Sequence, residues 1–169
     1  MSLFNPGFYY EKIIDIEICF FKRNNIECIL LDIDDTIAQH DSPKLIPGFR
    51  SWLGEILANN IKVVLVSNNY KSRVQFIAKR LNLPFIYSSF KPTPLGIIRA
   101  LNIVSCNKDK CILIGDQIFT DILGANIYGI KSILVDPVGV KKSLISKVKR
   151  WVEKPIRKNL KKNKDFDNK

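Results

Sequence analysis

The chain of 169 residues lacks a Cys-x-x-Cys pair, a long uninterrupted apolar run and any periodic repeat. Each absence removes a class of protein. No apolar run approaches the ~20 residues a transmembrane helix needs, so a membrane span is not expected. Glu11, Asp15 and Glu17 interrupt the stretch from Met1 to Phe21, so an export signal is not expected either. The eight Gly and eight Pro follow no period, which excludes collagen-like and solenoid designs. The four cysteines (Cys19, Cys28, Cys106, Cys111) show no zinc-ligand spacing. Cys28 and Cys111 stand inside apolar runs and read as small buried hydrophobes. A reduced, cytoplasmic setting is the expectation.

What the chain does contain is an ordinary globular composition, 46% apolar and 25% charged, in a length suited to one domain. A domain of this size buries about 70% of the surface its unfolded chain exposes, enough to fold without disulfides or a structural metal. The net charge of +11 suggests an anionic partner until the charges are placed. Residues 1–140 carry 15 Lys+Arg against 13 Asp+Glu, a net of +2, whereas residues 141–169 carry 12 against 3, a net of +9. The body is nearly neutral, and the basicity belongs to the C-terminal segment.

Short apolar runs rich in β-branched residues recur at 28–33, 62–66, 84–87, 111–114 and 132–135. Continuous runs of this kind suit strands covered on both faces. Helical periodicity fills the gaps. Over 45–59 it aligns Phe49, Trp52, Leu53, Ile56 and Leu57; over 70–81 it aligns Val74, Ile77, Ala78 and Leu81. The stretch 93–103 opens with Thr-Pro, an N-cap followed by proline, and 120–128 ends at Gly129, a C-cap. Strands alternating with helices predict a three-layer, doubly wound α/β fold around a parallel five-stranded sheet. Residues 1–25, with the aromatic cluster Phe4, Phe8, Tyr9 and Tyr10, are expected to pack on a core of residues 26–152. Residues 153–169 are expected to form a basic, flexible tail.

In an open α/β sheet, ligands bind beyond the carboxyl ends of the strands. Asp32-Ile33-Asp34-Asp35-Thr36 follows the first run, Ser67-Asn68-Asn69 the second, Lys91-Pro92 the third, and Gly115-Asp116 through Asp121 the fourth. Asp32, Asp34, Asp116 and Asp121 would repel one another in one pocket unless a cation sat between them. Hard oxygen ligands completed by substrate phosphate suit Mg²⁺. Lys91 and Ser67 can hold a phosphate, one carboxylate can act as nucleophile, and a second can serve as acid and base. Alone, Ser67 with Asn69 would read as a helix cap and Lys91 as a surface lysine; the constellation lifts them. Asp35 and Asp136 read as structural, and His40 as an exposed polar residue of a short flap.

Asp-x-Asp-x-Thr, Ser, Lys and Gly-Asp-x4-Asp, in order at strand ends, resemble the four motifs of the haloacid dehalogenase (HAD) superfamily across residues 26–136. The likeness implies Asp32 as nucleophile and Mg²⁺ ligand, and Asp34 as acid/base whose carbonyl also reaches the metal. It implies Thr36 as loop support, Ser67, Asn68 and Lys91 as the phosphate site, and Asp116 and Asp121 as further metal-site carboxylates. An acid/base at Asp34 favours a phosphatase over a dehalogenase. The short segment between Thr36 and Ser67 leaves no room for a cap domain, as in members that act on large substrates. Val66-Ser67-Asn68-Asn69, Lys91-Pro92 and Ile114-Gly115-Asp116-Gln117 through Asn126 are similar to the YqeG family of capless HAD phosphatases. That family is related to phosphatidylglycerophosphate phosphatases, which makes this lipid the leading substrate if the likeness extends so far. Asp35 stands where the family more commonly has Asn.

Two readings of the basic segment stay open. Leu144, Ile145, Val148, Trp151 and Val152 share helical spacing, which suits a last helix covering the sheet with its lysines solvated. The same helix, within residues 141–158, suits peripheral contact with an anionic phospholipid surface at the inner membrane face. Nucleic acid is less favoured, since no recognised binding module accompanies the charge. The expected function is a Mg²⁺-dependent phosphatase acting on a phosphorylated substrate. The alternative is a HAD scaffold that docks RNA, the ribosome or a membrane through its tail.

Overall fold

A computed structural model of the chain describes residues 2–39, 42–138, 153–158 and 160–163. His40 and the apolar stripe at 144–152 lie outside the described residues. The order of elements is β1 (Phe8–Tyr10), a 3-10 turn (Ile13–Asp15), α1 (Ile18–Arg23), β2 (Cys28–Leu31), α2 (Phe49–Ala58), β3 (Lys62–Val66) and α3 (Lys71–Leu81). There follow β4 (Phe85–Ile86), α4 (Leu95–Val104), a 3-10 turn (Lys108–Lys110), β5 (Cys111–Gly115), a π-helical turn (Ile118–Ile122), α5 (Leu123–Tyr128) and β6 (Lys131–Val135). Residues 153–158 form a last helical turn.

The strands form one parallel sheet in the order β1-β6-β5-β2-β3-β4. The sheet has six strands rather than five. The extra one is β1, whose Phe8, Tyr9 and Tyr10 pair with Ile133, Leu134 and Val135 of β6. Its three aromatic residues are too few to carry a period, so only the pairing with a distant strand makes them a strand. Phe8 and Phe20 pack edge to face at 4.7 Å, and Phe4 meets Phe119 at 5.4 Å.

Side chains alternate across the pleat and build two apolar layers. Ile29, Leu31, Val63, Leu65, Ile112 and Ile114 face α1, α2 and α3, where Phe21, Phe49, Trp52, Val74 and Ile77 are buried against them. Cys28, Leu30, Val64, Val66, Cys111 and Leu113 face α4 and α5 across Ile97, Ala100, Leu101 and Ala125. Complete burial of a ring such as Phe21 or Phe49 contributes about 1.5–3 kcal/mol. Cys28 and Cys111 are buried free thiols, as their apolar setting predicts.

Helix boundaries moved where proline and glycine act. The Pro47-Gly48 pair delays α2 to Phe49, with Gly48 at φ +79° in the left-handed region. Thr93 does not cap α4: its N–H closes a turn onto Phe90 O at 2.8 Å, and the helix starts at Leu95 with Pro94 in the cap position. Gly129, at φ +79°, ends α5 as expected. Between Thr36 and α2 the described residues hold only a flap with bridges from Ala38 to Asp34 and Leu45. Among the described residues, no helix is long and apolar enough to cross a membrane.

The sheet order fixes where a ligand can bind. From β2 the chain moves to β3 and β4 on one side, and β5 then returns to the other flank of β2. The β2–β5 boundary is thus the topological switch point, where a crevice opens beyond the carboxyl ends of the strands.

Candidate active site

Register brings the strand ends abreast, since Leu31 pairs with Leu65 on one side and with Ile114 on the other. The residues that follow, Asp32 after β2, Ser67 after β3 and Asp116 after β5, open on the same edge. Asp32 N continues the ladder to Ile114 O at 2.9 Å, which ties the backbone of this aspartate to the central strand.

The Asp32–Thr36 loop turns tightly because the amides of Thr36, Ile37 and Ala38 all donate to Ile33 O, at 3.3, 3.1 and 3.2 Å. Asp35 sits within it at φ +63°, a left-handed conformation that both Asp and Asn tolerate. Aspartate here in place of asparagine therefore keeps the turn. Thr36 Oγ1 donates to Asp32 Oδ2 at 3.3 Å.

Lys91 is the centre of the cluster. Its ammonium lies 2.7 Å from Asp32 Oδ1 and 2.7 Å from Asp121 Oδ1, and donates to Val66 O at 2.8 Å. It donates to Asp32 Oδ1 and Val66 O, and pairs by charge with Asp121. Burial opposes the charge on Lys91, but Asp121 and Asp32 more than offset this and hold its pKa above the ordinary lysine value. Burial pushes the Asp32 carboxyl well up; Lys91 pulls it back, while Asp121, Asp116 and Asp34 add repulsion.

Asp121 projects from the π-helical turn, and its Oδ2 accepts from Gln117 N at 3.1 Å. Single π-turns of this kind recur at functional sites because they re-aim one side chain. Gly115 makes room for it: a Cβ there would lie 2.3 Å from Asp121 Cγ. Asp32, Asp116 and Asp121 each offer a carboxylate oxygen, all within 4.8 Å of one another and all buried. Three buried carboxylates stand here against one ammonium. The all-oxygen donor set fits a hard divalent cation.

Asp34 stands at the mouth, its side chain 13% exposed. Its Oδ2 accepts from Ser67 Oγ at 3.4 Å and Asn69 Nδ2 at 3.2 Å, and its Oδ1 accepts from Arg73 Nε at 2.8 Å. Asn68 differs from expectation. Its amide donates to Lys91 O at 2.9 Å and accepts from Lys91 N at 2.8 Å and Ser89 Oγ at 2.7 Å. The side chain holds the backbone of the Lys91 loop instead of facing the carboxylates. The structure thus gathers Asp32, Asp34, Thr36, Ser67, Lys91, Asp116 and Asp121 on one edge, with Asn68 behind them.

The sequence reading passed over Arg73, although it had a signal. Arg73 is a base in the first turn of α3, where the helix dipole disfavours positive charge. It also missed Glu153 and Arg157. Glu153 Oε1 accepts from Ile118 N at 2.9 Å, and Arg157 Nη2 donates to Asp116 O. Glu153 is the sole acidic residue between 141 and 164, and that was its signal.

Comparison with known proteins places this edge. A HAD-hydrolase-like family model matches residues 90–155, which include Lys91, Asp116 and Asp121. A probable phosphatase, YqeG of Bacillus subtilis (strain 168), is 36% identical over 160 residues that cover 95% of this chain and 93% of that protein. The chain belongs to the YqeG family of HAD-like phosphatases. Its fold is shared with a haloacid dehalogenase-like hydrolase of Streptococcus pneumoniae, at TM-score 0.55 and 18% identity, over 72% of this chain and 90% of that one. It is also shared with the cobalt-bound deoxy-D-mannose-octulosonate 8-phosphate phosphatase of Haemophilus influenzae, at TM-score 0.53 and 10% identity, over 68% and 70% of the two chains. The docking-scaffold alternative gains no support from these relatives. HAD phosphatases generally use a divalent metal, and the buried Asp cluster of this YqeG relative can hold one.

Proposed function

We propose that this YqeG relative hydrolyses phosphomonoesters through an aspartyl-phosphate on Asp32, with Mg²⁺ as its metal. The observation that carries this reading is the buried triad Asp32, Asp116 and Asp121, with carboxylate oxygens within 4.8 Å of one another beside a buried lysine. Mg²⁺ held by these carboxylates supplies the charge that neutralises the phosphoryl oxygens. Lys91 and Ser67 hold the phosphoryl group, and Lys91 fixes Asp32 Oδ1 in place and opposes the upward push of burial on its carboxyl. An oxygen of Asp32 attacks phosphorus while the bond to the leaving alkoxide breaks, and Asp34 gives that alkoxide a proton. Asp34 then takes a proton from water, whose oxygen attacks the same phosphorus. The bond to Asp32 breaks, inorganic phosphate leaves and the carboxylate is restored. Arg73 and Asn69 keep the Asp34 carboxylate turned toward this work.

The chain should release p-nitrophenolate from p-nitrophenyl phosphate only when Mg²⁺ is present. Asp32→Asn should remove that activity by roughly 10³-fold or more while the protein still folds. Undiminished turnover in the purified variant would end the reading.

For the physiological substrate we propose phosphatidylglycerophosphate, met at the cytoplasmic face of a membrane. Three features support this choice. Among the described residues, no cap covers this edge. Tyr70 and Phe90, 67% and 62% exposed, flank Ser67-Asn69 and Lys91 as apolar rim residues. The segment 141–169 adds net charge of +9 that an anionic surface would attract. Turnover of this lipid in vesicles should exceed that of soluble sugar and nucleotide phosphates; the reverse order would remove the lipid from consideration.

A further inference from the structure

We propose that Glu153 and Arg157 are positioning residues for the metal site, so that the C-terminal segment completes the geometry of the loop carrying Asp116 and Asp121. The inference rests on the phosphatase reading above and concerns residues that no motif of that reading includes.

Glu153 is a buried carboxylate, 2% exposed. Its Oε1 accepts from Ile118 N at 2.9 Å and lies 3.5 Å from Phe119 N. These are the leading amides of the π-helical turn that presents Asp121, and such amides have no partner within their own helix. Arg157 approaches the loop from its other end. It donates to the backbone carbonyl of Asp116, lies 3.4 Å from Glu153 Oε2, and lies 3.5 Å from Asp136 Oδ1. Glu153 and Arg157 thus grip the peptide units immediately after each end of Asp116-Gln117.

The segment that brings them there is itself anchored. Ile156 and Leu160 pack on Tyr9, Ile118, Ile122 and Leu134. Asn163 exchanges bonds with Tyr9: its Oδ1 accepts from Tyr9 N at 2.8 Å, and its N donates to Tyr9 O at 2.6 Å. Tyr9 OH and Lys162 both bond Asp136, the partner of Arg157. Described residues 153–158 and 160–163 therefore form a clasp across β1, β6 and the metal loop.

Groups that orient metal ligands from behind commonly change affinity by about 10- to 100-fold when removed. Arg157→Ala and Glu153→Ala should weaken Mg²⁺ binding to the full chain by about 10- to 100-fold, measured by calorimetric titration. The Mg²⁺ concentration for half-maximal activity should rise in parallel, with the KM for p-nitrophenyl phosphate at saturating Mg²⁺ unchanged. Glu153→Gln keeps an acceptor for Ile118 N and should recover most of the affinity; Arg157→Lys keeps a donor and should recover part. Trp52→Phe serves as the control for general loosening. It removes the 2.9 Å bond from Trp52 Nε1 to Ile16 O in the opposite layer, and should lower the melting temperature without moving the Mg²⁺ midpoint.

Alanine variants that bind Mg²⁺ like wild type, or a Trp52→Phe shift as large as theirs, would overturn the inference while leaving the phosphatase reading intact. Should the alanine variants not fold, wild-type Mg²⁺ affinity in Arg157→Lys and an unrelieved loss in Glu153→Gln would overturn it equally. A wild-type chain that neither binds Mg²⁺ nor hydrolyses p-nitrophenyl phosphate would remove the phosphatase reading and this inference together.

Discussion

Replacing Gly115 with alanine adds one methyl group where β5 passes beneath Asp121. The new Cβ would stand 2.3 Å from Asp121 Cγ, 2.4 Å from Oδ2 and 2.7 Å from Cβ, whereas ordinary contact begins at 3.4 Å. Relief requires a displacement of about 1 Å, and both partners resist it. Gly115 is fixed in the β5 ladder, and Asp121 is 1% exposed and tied to Lys91 and Gln117 N. Overpacking of this kind costs about 1–3 kcal/mol. A group displaced by about 1 Å from a reacting centre loses roughly 10²-fold in rate. The assay is kcat/KM on p-nitrophenyl phosphate with saturating Mg²⁺, alongside a thermal melt. Gly54→Ala provides the contrast, because a Cβ there meets nothing within 4 Å in the middle of α2. It should stabilise the protein by about 0.5–1 kcal/mol and leave kcat/KM untouched. Wild-type kcat/KM in Gly115→Ala would refute the reasoning, since it would mean that the position of Asp121 does not matter to the reaction.

Other consequences are as open to measurement. Lys91→Met leaves Asp32 and Asp121 buried without their shared cation and should cost about 3–5 kcal/mol in metal-free buffer, much of it recovered when Mg²⁺ is added; equal melting temperatures would contradict this. Arg73→Ala removes the ion pair that aims Asp34 Oδ1, so alkyl phosphates, whose leaving oxygen needs a proton, should slow about tenfold more than p-nitrophenyl phosphate. A uniform loss across leaving groups would refute that role. Mg²⁺ at 100 times its dissociation constant should stabilise the fold by about 2.7 kcal/mol, and chelation should reverse the gain; an unmoved thermal transition would show that the folded chain does not bind it.

The central sheet and most of the candidate site were legible because both rest on local pattern. β2, β3 and β5 are covered on both faces and read as unbroken apolar runs, and the crevice residues stand next to their ends. What stayed hidden depends on partners far along the chain. Phe8–Tyr10 becomes a strand only through Ile133–Val135, and Glu153 meets Ile118 N from 35 positions along the chain. Asn68 shows a different limit. Its place in a motif is visible in the sequence, but only coordinates show its amide turned onto the backbone of Lys91.

The strand order has a consequence for how the protein is made. Asp32 and Ser67 emerge from the ribosome with the first half of the sheet, Asp116 and Asp121 with the second, and β1 waits at the edge for a neighbour that is among the last strands delivered. A fragment that ends before Asp121 cannot assemble the three-carboxylate cluster, whatever its local folding. A cation held by this cluster would therefore be bound only once β5 has joined β2.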